Sequence, residues 1–167
     1  MFRILLSILI LCSAQTFAGK IETNVIKLTP DSAANLDFFV TIDRFDTRKN
    51  ISSFIDIAFP IEIENVGIFV SATLIQGKVE NPFFKTNLSS CPSSYSDEID
   101  IVSFETTEKE VSEFKIYIKY KNELTGLRTF FFIEELNNFS EYDTDAIIRK
   151  IQSSANPKKP RNRVCSY

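Results

Sequence analysis

Ile55, Ile57, Phe59, Ile61 and Ile63 occupy every second position, separated by Asp56, Ala58, Pro60, Glu62 and Glu64. That period of two is the repeat of a strand with one dry and one wet face, and it does not suit a helix. The pattern recurs. Phe114, Ile116, Ile118 and Tyr120 alternate with Lys115, Tyr117, Lys119 and Lys121, and Leu36, Phe38, Val40 and Ile42 alternate with Asp37, Phe39, Thr41 and Asp43. Further strands are expected at Lys20–Leu28, Gly67–Gln76, Ile99–Glu105 and Leu127–Ile133. Pro60 has no backbone donor, so its segment should be an edge strand or break there into two shorter ones.

Between these runs lie stretches of turn composition: Thr29-Pro30-Asp31-Ser32, Arg44–Asn50, Asn81-Pro82 and Asn87–Ser96. Asn122-Glu123-Leu124-Thr125-Gly126 joins two strand patterns by a short polar link ending in glycine, which predicts a β-hairpin. One segment reads as a helix, near residues 141–153. Ser140 with Asp143 resembles a capping box, and Ala146, Ile147, Ile148 and Ile151 recur at helical spacing. No internal repeat is present.

The expected fold is therefore mainly β. It is a seven- to eight-stranded antiparallel β-sandwich, immunoglobulin-like or transthyretin-like, with one short C-terminal helix. The chain has no tryptophan, so it lacks the buried Trp of antibody domains, and a half-open barrel fits the same pattern.

Residues 1–18 have the three parts of a secretory signal. Arg3 supplies a positive charge, Ile4–Leu11 an apolar run, and Ser13–Ala18 an exit with small residues at Thr16 and Ala18. The run is short of the roughly 20 residues that cross a bilayer. Export to a periplasm or the extracellular space is the expectation. Cys12 follows the apolar run as a lipid-anchor cysteine would, but bulky Leu11 before it argues for simple cleavage. Cleavage leaves one domain over residues 19–155 and a basic tail over 156–167.

Removal of the signal also reduces three cysteines to two, Cys91 and Cys165. An even pair in an exported chain reads as a disulfide, here tying the tail to the middle of the chain. There is no Cys-x-x-Cys spacing and no histidine to make the pair a redox or metal site.

The net charge is −3, but it is unevenly spread. Lys158, Lys159, Arg161 and Arg163 form a wholly basic run, while residues 19–155 hold fourteen basic residues against twenty-two acidic ones. The tail could meet an anionic surface such as membrane lipid, or fold back on its own acidic body; the second is the simpler reading. Four charges make a weak nucleic-acid footprint, and no nucleic-acid partner is expected.

The absence of histidine removes His-dependent nucleophilic and acid–base catalysis, and with them His-ligated metal sites. Four glycines leave no phosphate-cradling loop. Carboxylates are the remaining catalytic candidates: Asp97, Glu98 and Asp100, and Glu134 with Glu135. Acidic side chains at strand ends explain them without chemistry. Glu141–Asp145 has alternating acids, yet it lacks the glycine and spacing of an EF-hand, and capping by Asp143 accounts for it. No cofactor is expected. Three Asn-x-Ser sequons, at Asn50, Asn87 and Asn138, carry little weight at this composition.

Phenylalanine is the one surplus, with sixteen in the chain. Phe130-Phe131-Phe132 must send rings to both faces of its strand. If Phe130 and Phe132 enter the core, Phe131 and Ile133 face out. Phe39, Phe69, Tyr117 and Phe131 are then the candidate interaction surface, and the simpler reading is that the helix around Ile147, Ile148 and Ile151 lies over that face and covers it.

The expected function is that of an exported, non-catalytic binding module. A protein partner, basic in charge, is expected, and an inhibitor or immunity-type protein would fit. The alternatives are a carboxylate-dependent hydrolase of a wall or matrix polymer, and a structural subunit of a surface assembly that accepts a donated strand near Pro60.

Overall fold

The computed structural model describes residues 22–46, 51–94, 96–139, 146, 148–150 and 153. The export signal, Cys12, the capping residues 140–145 and the basic tail with Cys165 lie outside the described residues.

In chain order the elements are β1 (Thr23–Lys27), α1 (Pro30–Asn35), β2 (Phe39–Asp46), β3 (Ile51–Pro60), β4 (Glu62–Ile63), β5 (Gly67–Lys78), β6 (Asn81–Leu88), β7 (Cys91–Pro92), β8 (Ile99–Thr107), β9 (Phe114–Lys121) and β10 (Arg128–Ile133). Short 3-10 turns cover Glu108–Glu113 and Leu136–Phe139. The fold is mainly β, in two sheets. The larger runs β1-β10-β9-β5, with β4 and β6 both paired to β5, and it curls as a half-barrel. The smaller runs β2-β3-β8-β7. Every pairing is antiparallel except that of β1 with β10, which is parallel.

One apolar cluster draws on both sheets. Val40, Ile55, Ile57, Phe59 and Val102 come from the smaller, and Ala72, Leu74, Ile116, Ile118, Tyr120, Phe131 and Ile133 from the larger. The alternation read in β3 and β9 is thus the alternation of burial, since a strand turns successive side chains to opposite faces. Rings knit the centre: Phe59 and Phe69 lie 4.7 Å apart and Phe38 and Phe131 5.2 Å apart, both tilted.

Pro60 acts as a break rather than an edge. β3 is a central strand, paired with β2 and β8, and it ends at Pro60 opposite Ile99. One residue later the chain enters β4 of the other sheet. The Ile61 amide donates to the Glu98 carbonyl (2.9 Å), and its carbonyl accepts from Phe69 (2.8 Å). A residue without a donor suits the point where a ladder must end.

Three elements differ from expectation. The stretch Thr29–Ser32 starts a helix instead of a turn: Thr29 caps α1, Pro30 fills its first turn, and Thr29 and Ser32 each accept from the other's amide. Asn81-Pro82 and Asn87–Ser96 have turn composition, yet Asn81–Leu88 is strand β6, in register with β5 through Leu74↔Thr86 and Ile75↔Lys85. Most of its side chains are exposed, so it has no dry face to betray it. The phase of β10 is the reverse of the one expected: Phe131 and Ile133 are 1% and 0% exposed, while Phe130 and Phe132 are half-buried on the outer face.

Residues 146, 148–150 and 153 are helical. Ile148 packs against Phe39, Ala58 and Ile99 on the outer face of the smaller sheet, beside Ala34 and Ile101. Lys150 Nζ meets Asp37 Oδ1 at 2.6 Å.

Candidate binding face

Cross-strand partners share a face, so register assigns the outer surface of the larger sheet row by row. Thr23, Arg128, Lys121, Ile68 and Glu62 form one row, and Val25, Phe130, Lys119 and Ser71 the next. Then come Lys27, Phe132, Tyr117, Thr73 and Asn87, and finally Lys115, Ile75 and Lys85. The outer face therefore gathers Lys27, Lys85, Lys115, Lys119, Lys121 and Arg128 around Tyr117, Phe130 and Phe132.

The rings are ordered among themselves. Tyr117 and Phe132 stack at 4.5 Å with 21° between planes, and Phe130 stands edge-on to Tyr117 at 6.4 Å. Lys119 Nζ sits 5.8 Å from the Phe130 ring centre, within cation–π range. Lys27 is bonded to Glu134, which holds its ammonium pKa above the ordinary value; burial opposes the shift, and the Glu134 and Glu135 charges add to it. The Tyr117 phenol is also raised, first by burial and then by the charges of Glu134 and Glu80. Val25 at 62% and Ile68 at 42% leave apolar surface open between the cations.

The opposite outer face, on the smaller sheet, has the other sign. Thr41, Asp56 and Ser103 share a row, then Asp43, Phe54 and Glu105, then Phe45, Ser52 and Thr107. No cation lies in these rows. An acidic chain thus keeps its basic and acidic strands apart.

The surface expected at Phe39, Phe69, Tyr117 and Phe131 does not exist as one patch. Phe131 and Phe39 are buried, the latter beneath Ile148, and Phe69 packs into the core against Phe59 and Tyr120. Tyr117 alone faces outward with open surface. Its neighbours there are Phe130 and Phe132, and three consecutive phenylalanines carry no phase that would place them on this face. The cue lay in Arg128, which shares their parity, and in Lys115, Lys119 and Lys121, which share that of Tyr117.

A concavity of about 500 Å³ is lined by Asp37, Glu62, Glu64 and Glu98 together with Pro60, Ile61, Ser96 and Ile99. It forms where the chain crosses between sheets. Of the expected carboxylates only Glu98 reaches it. Asp100 is wholly buried and accepts from Ser90 (3.0 Å), Glu134 holds Lys27, and Glu135 accepts from Asn138 (2.8 Å). Among the described residues, no group of three or more Cys, Asp or Glu could hold a metal ion, and no helix is long and apolar enough to cross a membrane.

No family model, no curated protein and no solved structure matches this chain. Cys91 is half-buried in β7 opposite Ile101. Its expected partner, Cys165, is outside the described residues.

Proposed function

We propose that this chain is an exported, non-catalytic binding module, and that its contact surface is the outer face of the larger sheet. In this reading the two sheets stack as a β-sandwich with the larger one curled, and a Cys91–Cys165 disulfide ties the tail to β7. The carrying observation is the segregation of charge. Lys115, Lys119, Lys121 and Arg128 share one face with half-open rings, while Asp43, Asp56 and Glu105 occupy the other. Fields arranged this way orient a protein toward a charged partner and quicken encounter.

Capture from the native source tests it. Immobilised mature chain should retain a partner or fraction at low salt and release it at high salt. Lys119→Glu with Lys121→Glu should retain nothing. Equal retention by this variant would overturn the choice of face.

The acidic cleft supports a second reading, the carboxylate-dependent hydrolase, because Glu62, Glu64 and Glu98 converge on one concavity. Polymer hydrolysis that is lost in both Glu62→Gln and Glu98→Gln would favour it over the binding module.

A further inference from the structure

We infer that the partner of the basic face is the anionic surface of a phospholipid bilayer. The inference rests on the proposed contact face and names what it touches.

The cations of this face are spread across the sheet rather than along one strand. They stand on β6, β9, β10 and β1, with β5 between β6 and β9. Neighbouring strands lie about 4.8 Å apart, so the patch is roughly 19 Å across; from Lys115 to Lys121 along β9 it is roughly 20 Å long. A linear polyanion is served by a line of charge along a groove. A lattice of headgroups is served by charge spread in two dimensions. The two described concavities do not supply such a groove: the acidic cleft lies between the sheets, and the other borders Gly77, Phe83 and Glu113, meeting this face only at Lys115.

The apolar residues point the same way. Val25 is open on the edge strand beside Phe130, one position along from the Arg128 row, and Ile68 is open beside Lys121. Long cationic side chains lay their alkyl stems over such surface and lift their charges to the phosphate level. The rings, by contrast, are poorly placed to stack on nucleobases or sugars. Tyr117 and Phe132 already cover one another, and Lys119 sits over Phe130.

Opposing charges stand mainly at the margins of this surface. Glu134 neutralises Lys27, Glu62 stands beside Ile68 at the β4 end of the Lys121 row, Glu80 lies near enough to affect Tyr117, Glu22 precedes β1 and Glu123 sits in the β9–β10 hairpin. Lys85, Lys115, Lys119, Lys121 and Arg128 have no ion pair among the described residues.

Co-sedimentation of the whole mature chain with vesicles decides it. The chain should bind phosphatidylcholine vesicles containing about a third phosphatidylglycerol and ignore pure phosphatidylcholine. Binding should vanish at about 1 M salt, where the screening length falls to about 3 Å. Lys119→Ala with Lys121→Ala should weaken partition roughly 25-fold, from about five-fold per charge. Lys109→Ala, in the 3-10 turn, should leave it unchanged, and Val25→Ser should weaken it with the charge intact. Matching melting curves establish that the variants are folded. Equal binding to both vesicle types, an unaffected double variant, or binding to polyphosphate or an oligonucleotide without binding to vesicles would overturn the inference. If the native-source capture still depends on Lys119 and Lys121 while vesicles are ignored, the face stands and the bilayer falls. If capture ignores both lysines, the face itself is wrong.

Discussion

The Tyr120 hydroxyl donates to the carbonyl of Pro60, tying the middle of one sheet to the residue at which the chain leaves the other. Tyr120 is wholly buried, packed edge-on to Phe131 at 5.5 Å. Replacing it with phenylalanine keeps the ring and strands the Pro60 carbonyl. The expected loss is about 1–3 kcal/mol, read from urea unfolding. Burial, then the Asp100 charge, raise the phenol's pKa above its ordinary value of about 10. Above pH 10 the unfolded chain therefore releases a proton that the folded chain keeps. The Tyr120 contribution is intact below pH 10 and declines as pH rises beyond it. Tyr120→Phe should flatten that alkaline decline; an unchanged slope would mean another group causes it.

Much of this corner was legible in advance, for a physical reason. Pro60 interrupts a strict alternation, and a residue without a donor must end a ladder or sit at its edge. Which of the two it did was hidden, because that depends on what lies beside β3. β6 was hidden for a different reason: a strand held by backbone pairing, with both faces wet, has no hydrophobic period to read. Among the elements of the candidate face, β9 carries its own answer in Lys115, Lys119 and Lys121, whereas β10 offers only Arg128 against three consecutive phenylalanines.

Gly67 starts β5 with φ at +124°, and a Cβ there would stand 2.2 Å from the Lys121 carbonyl oxygen. Backbone cannot move aside as a side chain can. Gly67→Ala should cost more than about 3 kcal/mol by thermal melting. Gly126, with φ at +73° but nothing within 4 Å, makes the comparison. Its alanine variant should lose only about 1 kcal/mol, the left-handed penalty alone. Equal losses would show that the close approach of β5 to Lys121 is not what demands glycine.

Cys91 lies in a two-residue strand held by β8 through Ile101 and Asp100. If it is joined to Cys165, the closed loop is long, and the chain-entropy account gives the bond about 4 kcal/mol. Non-reducing peptide mapping of the mature chain should recover the two cysteines in one linked fragment. Reduction, or Cys91→Ser, should then lower stability by about that amount. A linked fragment with no loss on reduction would assign the bond to holding the tail rather than stabilising the sheets.

The reversed phase of β10 decides which rings belong to the fold and which to the surface. Phe131 meets Phe38 and Tyr120 in the core, so Phe131→Ala opens a cavity and should cost about 3–5 kcal/mol. Phe132 and Phe130 are half-buried against Tyr117 and Lys119. Removing Phe130 forfeits less burial and a cation–π contact of about 0.5–1 kcal/mol, so Phe130→Ala should cost less than half as much as Phe131→Ala. Paired urea melts measure the difference directly. A Phe130 variant as damaged as the Phe131 variant would point to the opposite phase, turning Lys119 and Arg128 inward with it and dissolving the basic face, since register puts all three on one face.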